Sequence, residues 1–341
     1  MDAASLPDFH VLPYREKEKC IKVDCQEVPV SPLTDSVTLK TSSSWTYCGP
    51  LLDLEPALLP SSFHTWADAT INGSVLAPLL SFLAFVHEFL AKNSLGHYWL
   101  TIRASQGSHE FDTPRWHTDD LFFSPIPPTG PVQRCSWFSA FSNGIRSARR
   151  AAKLRPRRRS KDLTTTHDNT FREKLTSPGS NQITTDTPGP ANWKLTTTLL
   201  GPGTLFIAQQ ASPLARDIQR ATRQTVRAAH AEHVCLSVRC AGCSTAAESV
   251  RAKLAAALGR HGTVQARAGE CVFFRVGEDE GAVHSEPMSH GDRIFVNVVP
   301  GHEADLKSLM ARWGMEYPRA WCVGLPFQGA EETCWRNVGE L

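Results

Sequence analysis

The most informative stretch of this chain is Arg115-Trp116-His117-Thr118-Asp119-Asp120. It follows a segment rich in aromatic and β-branched residues, from His97 to Arg103, and a turn that contains Gly107, so we predict a strand over 115–123. Side chains two residues apart in a strand point to the same side of the sheet. The imidazole of His117 and the carboxylate of Asp119 are therefore expected to converge on one point.

A third ligand for a metal at that point is available far downstream, at His284. Two histidines and one carboxylate on one side of a metal form the facial triad of non-heme Fe(II) oxygenases, which leaves positions open for a co-substrate and oxygen. Arg293 follows on the next predicted strand, and its guanidinium suits the distal carboxylate of 2-oxoglutarate. Short motifs also occur by chance: all three residues read equally as ordinary polar side chains, and His290 and His302 are other candidates for the third ligand.

The wider pattern predicts an α+β protein with a mainly β core. The apolar spacing of Leu79, Leu83 and Val86 is that of a helix with one face in the core, beginning at Ser74 or Ala77. Early strands, a helical excursion and late strands favour an antiparallel sandwich or barrel, and a double-stranded β-helix (jelly roll) flanked by helices brings the two ends together. Further helices are predicted at 213–232 and 245–259, and further strands at 193–200, 204–207, 271–276, 282–285 and 293–299.

Composition divides the 341 residues into segments. We predict an irregular N-terminal extension over 1–60, a jelly-roll oxygenase-like domain over 61–305 and a C-terminal wrap over 306–341. Residues 124–190 are dominated by Pro, Ser, Thr, Asn and Arg without apolar periodicity, so we predict a long disordered, low-complexity basic insertion. Within it, 146–161 holds nine basic residues and no acidic one, so the rest of the chain carries a net charge of −7 against an overall +2.

The termini and the cysteines favour an intracellular protein. The first residues lack a basic region and an apolar core of a secretory signal, and the apolar run 75–86 is shorter than the roughly 20 residues that span a bilayer. The ten cysteines are therefore expected to be reduced thiols. We predict a cytoplasmic location without a membrane, and a nuclear one if the basic run is an address.

The order His117-x-Asp119, His284 and Arg293 resembles the Fe(II)/2-oxoglutarate-dependent dioxygenase superfamily across roughly residues 75–300. A narrower set of motifs looks like an uncharacterised family catalogued as a domain of unknown function; it comprises Trp116-His117-x-Asp119, Leu200-Gly201-Pro202-Gly203-Thr204, Gly281-Ala282-Val283-His284-Ser285-x-Pro287 and Gly291-x-Arg293. The superfamily resemblance implies a jelly roll, Fe(II) and oxidative chemistry on a small-molecule substrate, with His117, Asp119 and His284 as ligands.

One position departs from that pattern. Many superfamily members carry a hydroxyl residue two positions after the arginine, where this chain has Phe295. Thr196 or Thr198, on the strand after the insertion, is the candidate to take over that contact with 2-oxoglutarate. Glu286 is a candidate to orient a ligand histidine, and Arg115 to touch the substrate or to support a metal ligand.

Two other functions remain open. One is a non-catalytic jelly-roll binding module. The other is a nucleic-acid-associated protein acting through the basic run and a helix with an arginine stripe. The arginine stripe is more simply explained as a solvated face. The C-x-x-C motif that begins at Cys240 lacks the second pair of ligands that structural zinc needs. The stripe comprises Arg216, Arg220, Arg223 and Arg227.

Overall fold

The computed structural model describes residues 7–15, 37–108, 113–123, 192–229, 241–277, 279–288 and 290–325. The predicted insertion at 124–190, with its basic run, and the cysteines at 235 and 240 lie outside these residues.

A seven-stranded sheet forms the centre of the described structure, and all its strand pairs are antiparallel. The strand order across this large sheet is β1-β9-β6-β11-β5-β3-β12. The strands of the whole structure are β1 (Phe9–Pro13), β2 (Thr38–Leu39), β3 (Ser43–Pro50), β4 (Ile71–Asn72), β5 (His97–Ser105), β6 (Trp193–Leu200), β7 (Leu205–Ile207), β8 (Thr263–Gln265), β9 (Glu270–Arg275), β10 (His284–Ser285), β11 (Arg293–Gly301) and β12 (Arg319–Val323).

The two faces of the large sheet differ in chemistry because side chains alternate along each strand. On β11, Ile294, Val296 and Val298 are fully buried in the main hydrophobic core. The intervening residues Arg293 and Phe295 point to the other face, which we call the inner face. Because buried charged side chains lie on the inner face, the site is expected between the large sheet and the elements that cover this face.

The large sheet is flanked by helices on its apolar face. Helix α2 contributes the stripe that the sequence predicted, with Leu79, Leu83 and Val86 buried against that face. The helices of the structure are α1 (Ser61–Thr70), α2 (Leu76–Lys92), α3 (Ser212–Ala229), α4 (Ala241–Leu258) and α5 (Glu303–Arg312).

A three-stranded sheet with the order β10-β7-β8 covers the inner face. His117 adds an isolated antiparallel bridge to β10 through His284. Helices α3 and α4 pack on the outside of this small sheet, through a buried cluster that includes Trp116, Ile207 and Leu254. Segments that follow each other along the chain therefore cross repeatedly from one sheet to the other.

The structure confirms an α+β protein with a large antiparallel sheet and several helices. It differs at 115–123, where only His117 pairs with a strand. The backbone turns away after His117 because the Thr118 hydroxyl accepts a hydrogen bond from Gln219, and the Asp119 carbonyl accepts one from the Gly277 amide.

The segment predicted to be irregular, 1–60, contributes β1 and β3 to the large sheet. Strand β3 pairs with β5, and its Trp45 and Tyr47 lie in the main core. The alternation of these two aromatic residues with smaller ones is a pattern that indicates a strand. Strand β12, within the predicted C-terminal wrap, closes the same edge. None of the described helices is both long and apolar enough to cross a membrane.

Candidate metal centre

Backbone pairing brings the two predicted histidine ligands side by side. The amide of His117 donates to the carbonyl of His284, and the amide of His284 donates to the carbonyl of His117, both at 2.9 Å. This antiparallel bridge fixes the two Cα atoms opposite each other, and the ring centroids lie 4.4 Å apart. Two residues separated by 167 positions in sequence thus become immediate neighbours.

Asp119 completes the group. One carboxylate oxygen, Oδ1, lies 3.7 Å from Nε2 of His117, and the other, Oδ2, lies 3.7 Å from Nε2 of His284. The three potential ligand atoms are all within 4.8 Å of one another. Among the described residues, no other cluster of three or more His, Cys, Asp or Glu side chains has this geometry.

Hydrogen bonds fix which ring nitrogen of each histidine is available. Nδ1 of His117 lies 2.8 Å from the carbonyl of Arg115, and Nδ1 of His284 lies 2.9 Å from the carbonyl of Ala282. A carbonyl oxygen only accepts, so each Nδ1 carries the proton and each Nε2 of the neutral ring has a free lone pair. Both lone pairs are on the side of Asp119, as metal-binding histidines require.

Burial keeps both histidines neutral. It lowers the pKa of His117 to about 3, and the adjacent His284 acts in the same direction. Burial likewise lowers the pKa of His284, more than Asp119 raises it. For Asp119 burial alone would raise the pKa, but Lys194 and the two histidines hold it below its usual range. The group therefore offers two neutral imidazoles and one carboxylate at neutral pH.

A lysine that the sequence did not single out contacts this carboxylate. Nζ of Lys194, on the inner face of β6, donates to Oδ2 of Asp119 at 2.7 Å, and both side chains are at most 10% exposed. The ammonium also lies 5.9 Å and 5.8 Å from the ring centroids of Phe122 and Phe274. The contact spans 75 positions, so only the fold reveals it.

The donor set fits a divalent transition metal. Neighbouring ligand atoms of an octahedral ion at about 2.1 Å stand about 3 Å apart, so the 3.7 Å between each ring nitrogen and its nearer Asp119 oxygen would shorten when a metal binds. Imidazole nitrogens with a carboxylate suit Fe(II), and three ligands on one side leave other positions open. The rings of Phe274 and Phe206 lie 4.9 Å and 5.6 Å from His284, which makes one wall of the site apolar.

Arg293 is on the inner face of β11, as the sequence predicted. It is 6% exposed, and its guanidinium donates to the Pro202 carbonyl at 2.9 Å and approaches the Thr204 hydroxyl at 3.2 Å. The ring of Phe295 lies beneath it, with 4.7 Å between guanidinium carbon and ring centroid. Burial lowers the pKa of Arg293 to about 10, which still leaves it charged at neutral pH.

The two candidate threonines lie on the inner face of β6, together with Lys194. Thr198 is opposite Phe295 and Thr196 is opposite Asn297 in the register of β6 with β11. Neither threonine forms a hydrogen bond with Arg293. The hydroxyl next to the Arg293 guanidinium is that of Thr204. Thr204 was present in the Gly201-Pro202-Gly203-Thr204 motif, so the signal existed without pointing to this role.

Glu286 has another partner than the expected histidine, whereas Arg115 supports a ligand through its backbone. Glu286, on the same side of its segment as His284, pairs with Arg103 of β5 at 2.7 Å, and backbone carbonyls orient the histidines instead. The Arg115 side chain pairs with Glu248 of α4 at 2.7 Å and is buried, whereas its carbonyl holds His117. Arg103 and Glu286 thus link the two sheets next to the metal-ligand group.

Three arginines of the stripe on helix α3 pair with acidic side chains, and the side chain of the fourth, Arg227, lies outside the described part of the structure. Arg216 pairs with Asp8 of the N-terminal segment, and Arg220 pairs with Asp217 and Asp279. Arg223 lies 3.9 Å from Asp120 in the loop that carries Asp119. These contacts hold α3 against the loops around the site.

Comparison with known proteins does not place the chain in a family: no protein-family model matches it, and neither any curated protein nor any solved structure does.

Proposed function

We propose that this protein is a non-heme Fe(II) oxygenase that uses 2-oxoglutarate and O2 to oxidise a small organic substrate. The observation that carries the proposal is the convergence of His117, Asp119 and His284, with both Nε2 lone pairs on the side of the carboxylate. Ordinary buried polar residues need no such shared orientation. A metal site does.

The strand order supports a jelly roll as the scaffold. From β5 onward the chain passes from the large sheet to the His117 bridge, back to β6, through β7 and β8 of the small sheet, to β9, to β10 and finally to β11. Such alternation between two facing antiparallel sheets is typical of double-sheet jelly rolls. In this arrangement His117 and His284 lie at the small sheet, and Arg293 lies on the large sheet that faces it.

In this proposal Arg293 binds the distal carboxylate of 2-oxoglutarate. A buried guanidinium next to a hydroxyl provides parallel donors for a carboxylate. Glu286 stabilises the charge of Arg293 from nearby. Thr204 would share the contact that the sequence assigned to Thr196 or Thr198. The Phe295 ring below the guanidinium fixes its plane.

Bound Fe(II) would supply the activation of O2, with two electrons coming from the oxidation of 2-oxoglutarate to succinate and CO2 and two from the substrate, so that one oxygen atom ends in succinate and the other in the oxidised substrate. The chain itself orients the participants. His117 and His284 hold the metal through nitrogens that backbone carbonyls aim, Asp119 neutralises part of its charge, and Phe206 and Phe274 exclude water from one side.

The metal assignment predicts that purified protein binds one Fe(II), and that His117→Ala or Asp119→Ala abolishes the binding because each removes one of three ligands. Metal content after anaerobic loading and gel filtration measures this. His302→Ala is the matched control, since His302 was a candidate ligand but precedes α5, and should retain the metal. Full metal content in both ligand variants would refute the assignment.

The co-substrate assignment predicts slow formation of succinate from 2-oxoglutarate without added substrate, in the presence of Fe(II), ascorbate and O2. Arg293→Ala should reduce this turnover by about 100-fold or more, because a charged hydrogen-bonding partner is worth about 3 kcal/mol. Arg319→Ala, on the edge strand β12, is the control and should keep it. An absence of succinate from metal-loaded wild-type protein would rule out 2-oxoglutarate while leaving the metal site intact.

A second candidate is a non-catalytic binding module of the same architecture. The Lys194–Asp119 ion pair favours it, because that carboxylate already has a buried cation as its partner. A folded protein that takes up no Fe(II), Co²⁺ or Mn²⁺ would favour this alternative.

A further inference from the structure

We propose that Lys194 is the resident counter-ion of the metal site: it balances the charge of Asp119 when no metal is bound and weakens metal binding when one is. This inference rests on the proposed metal site for its second half. Its first half concerns the metal-free protein alone.

The geometry of the contact carries the first half. The ammonium and Oδ2 are 2.7 Å apart in an environment where both side chains are at most 10% exposed. A buried carboxylate without a contacting cation is costly. Among the described residues, Lys194 is the one ammonium or guanidinium side chain in contact with this carboxylate.

The surroundings of Lys194 show that its position is set by packing. Strand β6 pairs with β11 on one side and with β9 on the other, so its backbone is central in the large sheet. The ammonium lies 5.9 Å and 5.8 Å from the centroids of the Phe122 and Phe274 rings, as well as against Asp119. Lys194 is therefore held at the site by its central strand, by Asp119 and by contact with these rings.

The second half follows from charge. Without Lys194 the Asp119 carboxylate loses the cation that contacts it, and a bound divalent ion would compensate its charge. With Lys194 the set is already neutral, so a metal gains less by binding and meets a nearby positive charge. Removing Lys194 should therefore destabilise the metal-free protein but strengthen metal binding. A merely structural lysine would produce weaker metal binding when removed, because the ligands would lose their arrangement.

The experiment compares wild type, Lys194→Met, Asp119→Asn and the double variant, each freed of metal and then titrated with Co²⁺. Metal-free Lys194→Met should melt about 10 °C below wild type, since breaking a buried ion pair from one side is strongly destabilising. The double variant should melt well above Lys194→Met, because it leaves no uncompensated charge. Co²⁺ should bind Lys194→Met about tenfold or more tightly than wild type.

Two variants make these results interpretable. Lys92→Met breaks a pair with Glu88 at the same 2.7 Å distance but with side chains about 70% exposed, and should change neither melting nor Co²⁺ affinity. Lys194→Gln removes the charge while keeping a hydrogen-bond donor. It replaces Lys194→Met in every comparison if the methionine variant does not fold.

The outcomes separate the two proposals. An unchanged melting temperature of the metal-free lysine variant, or a Co²⁺ affinity equal to or weaker than that of wild type, overturns the counter-ion role. If Co²⁺ binds to no variant, the proposed metal function fails and the effect on metal affinity fails with it. The melting temperatures of the four metal-free proteins then still decide whether Lys194 compensates Asp119.

Discussion

Charged side chains around this site are arranged in pairs. Asp119 lies against Lys194, and Glu286 lies against Arg103, each at 2.7 Å. The sequence identified His117 and Asp119 because an i, i+2 spacing is a local property. The charge partner of Asp119 is 75 positions away in sequence, and that of Glu286 is 183 positions away, so no local pattern points to either partner.

A residue-scale prediction concerns Cys48 and Cys271. Both are fully buried, and burial raises the pKa of each thiol to about 12. Because the thiolate is the nucleophile, neither should react with iodoacetamide in the folded protein between pH 7 and pH 10, while both should react in denaturant. Peptide mass spectrometry after labelling measures this.

The same shift predicts a dependence of stability on pH. The folded pKa values lie above the unfolded value of about 8.5, so the folded state keeps protons that the unfolded chain releases. The contribution of these thiols to stability is therefore complete below about pH 8.5 and declines as the pH rises toward 12. Rapid native-state labelling of either cysteine at pH 8 would contradict the enclosed environment described here.

At the scale of elements, the turn between β6 and β7 positions the Arg293 guanidinium. Gly201 has φ +80°, and a Cβ there would lie 2.6 Å from the Asp292 carbonyl, immediately before Arg293. Glycine is therefore required for the turn to approach β11, and the approach brings the Pro202 carbonyl and Thr204 to the guanidinium.

An element-scale prediction follows for Gly201→Ala. The left-handed backbone and the close contact should lower the free energy of unfolding by about 1–3 kcal/mol. The variant should also lower the affinity for 2-oxoglutarate, since the Arg293 partners would shift. Thermal melting and co-substrate binding by calorimetry measure the two effects.

Gly96→Ala is the matched control for that variant. No atom lies within 4 Å of the position its Cβ would take, so it should be neutral or slightly stabilising. Equal effects of the two glycine variants would show that the turn does not have the proposed role.

At the scale of the whole molecule, two sheets bring distant segments to one point. The amide of Gly277 donates to the Asp119 carbonyl at 2.7 Å, and the amide of Val276 donates to the Asn192 carbonyl at 2.8 Å. The chain on either side of 124–191 is therefore held by adjacent residues of one segment. These two hydrogen bonds hold residues on both sides of 124–191 at neighbouring points of the fold.

This predicts that 124–191 can be replaced by a linker of about ten glycine and serine residues, which reaches about 33 Å. Melting temperature and Fe(II) content should stay close to those of the intact chain. Loss of the folded state on replacement would contradict this view of the fold.

The same variant tests the nucleic-acid alternative. If that function is correct, the intact chain binds nucleic acid with a steep salt dependence, and the shortened chain does not. Equal binding by both would exclude the basic run at 146–161 as its source.

Prediction from the sequence was most successful where a signal repeats along one element. Helix α2, strand β6 and strand β11 are confirmed near their expected bounds because apolar periodicity reports burial directly. The strand expected over 115–123 shrinks to one bridging residue, since hydrogen bonds from Gln219 and Gly277 redirect it. Those partners come from elsewhere in the chain.

The sequence by itself determined the α+β class, the main helices and strands, and three residues whose side chains can bind a metal. Tertiary structure alone decided that His117 and His284 pair, that backbone carbonyls aim their nitrogens, and that Lys194 neutralises Asp119. The physical reason is range. Periodicity and spacing act over a few residues, whereas hydrogen bonds and ion pairs depend on distances that only the packing of two sheets sets.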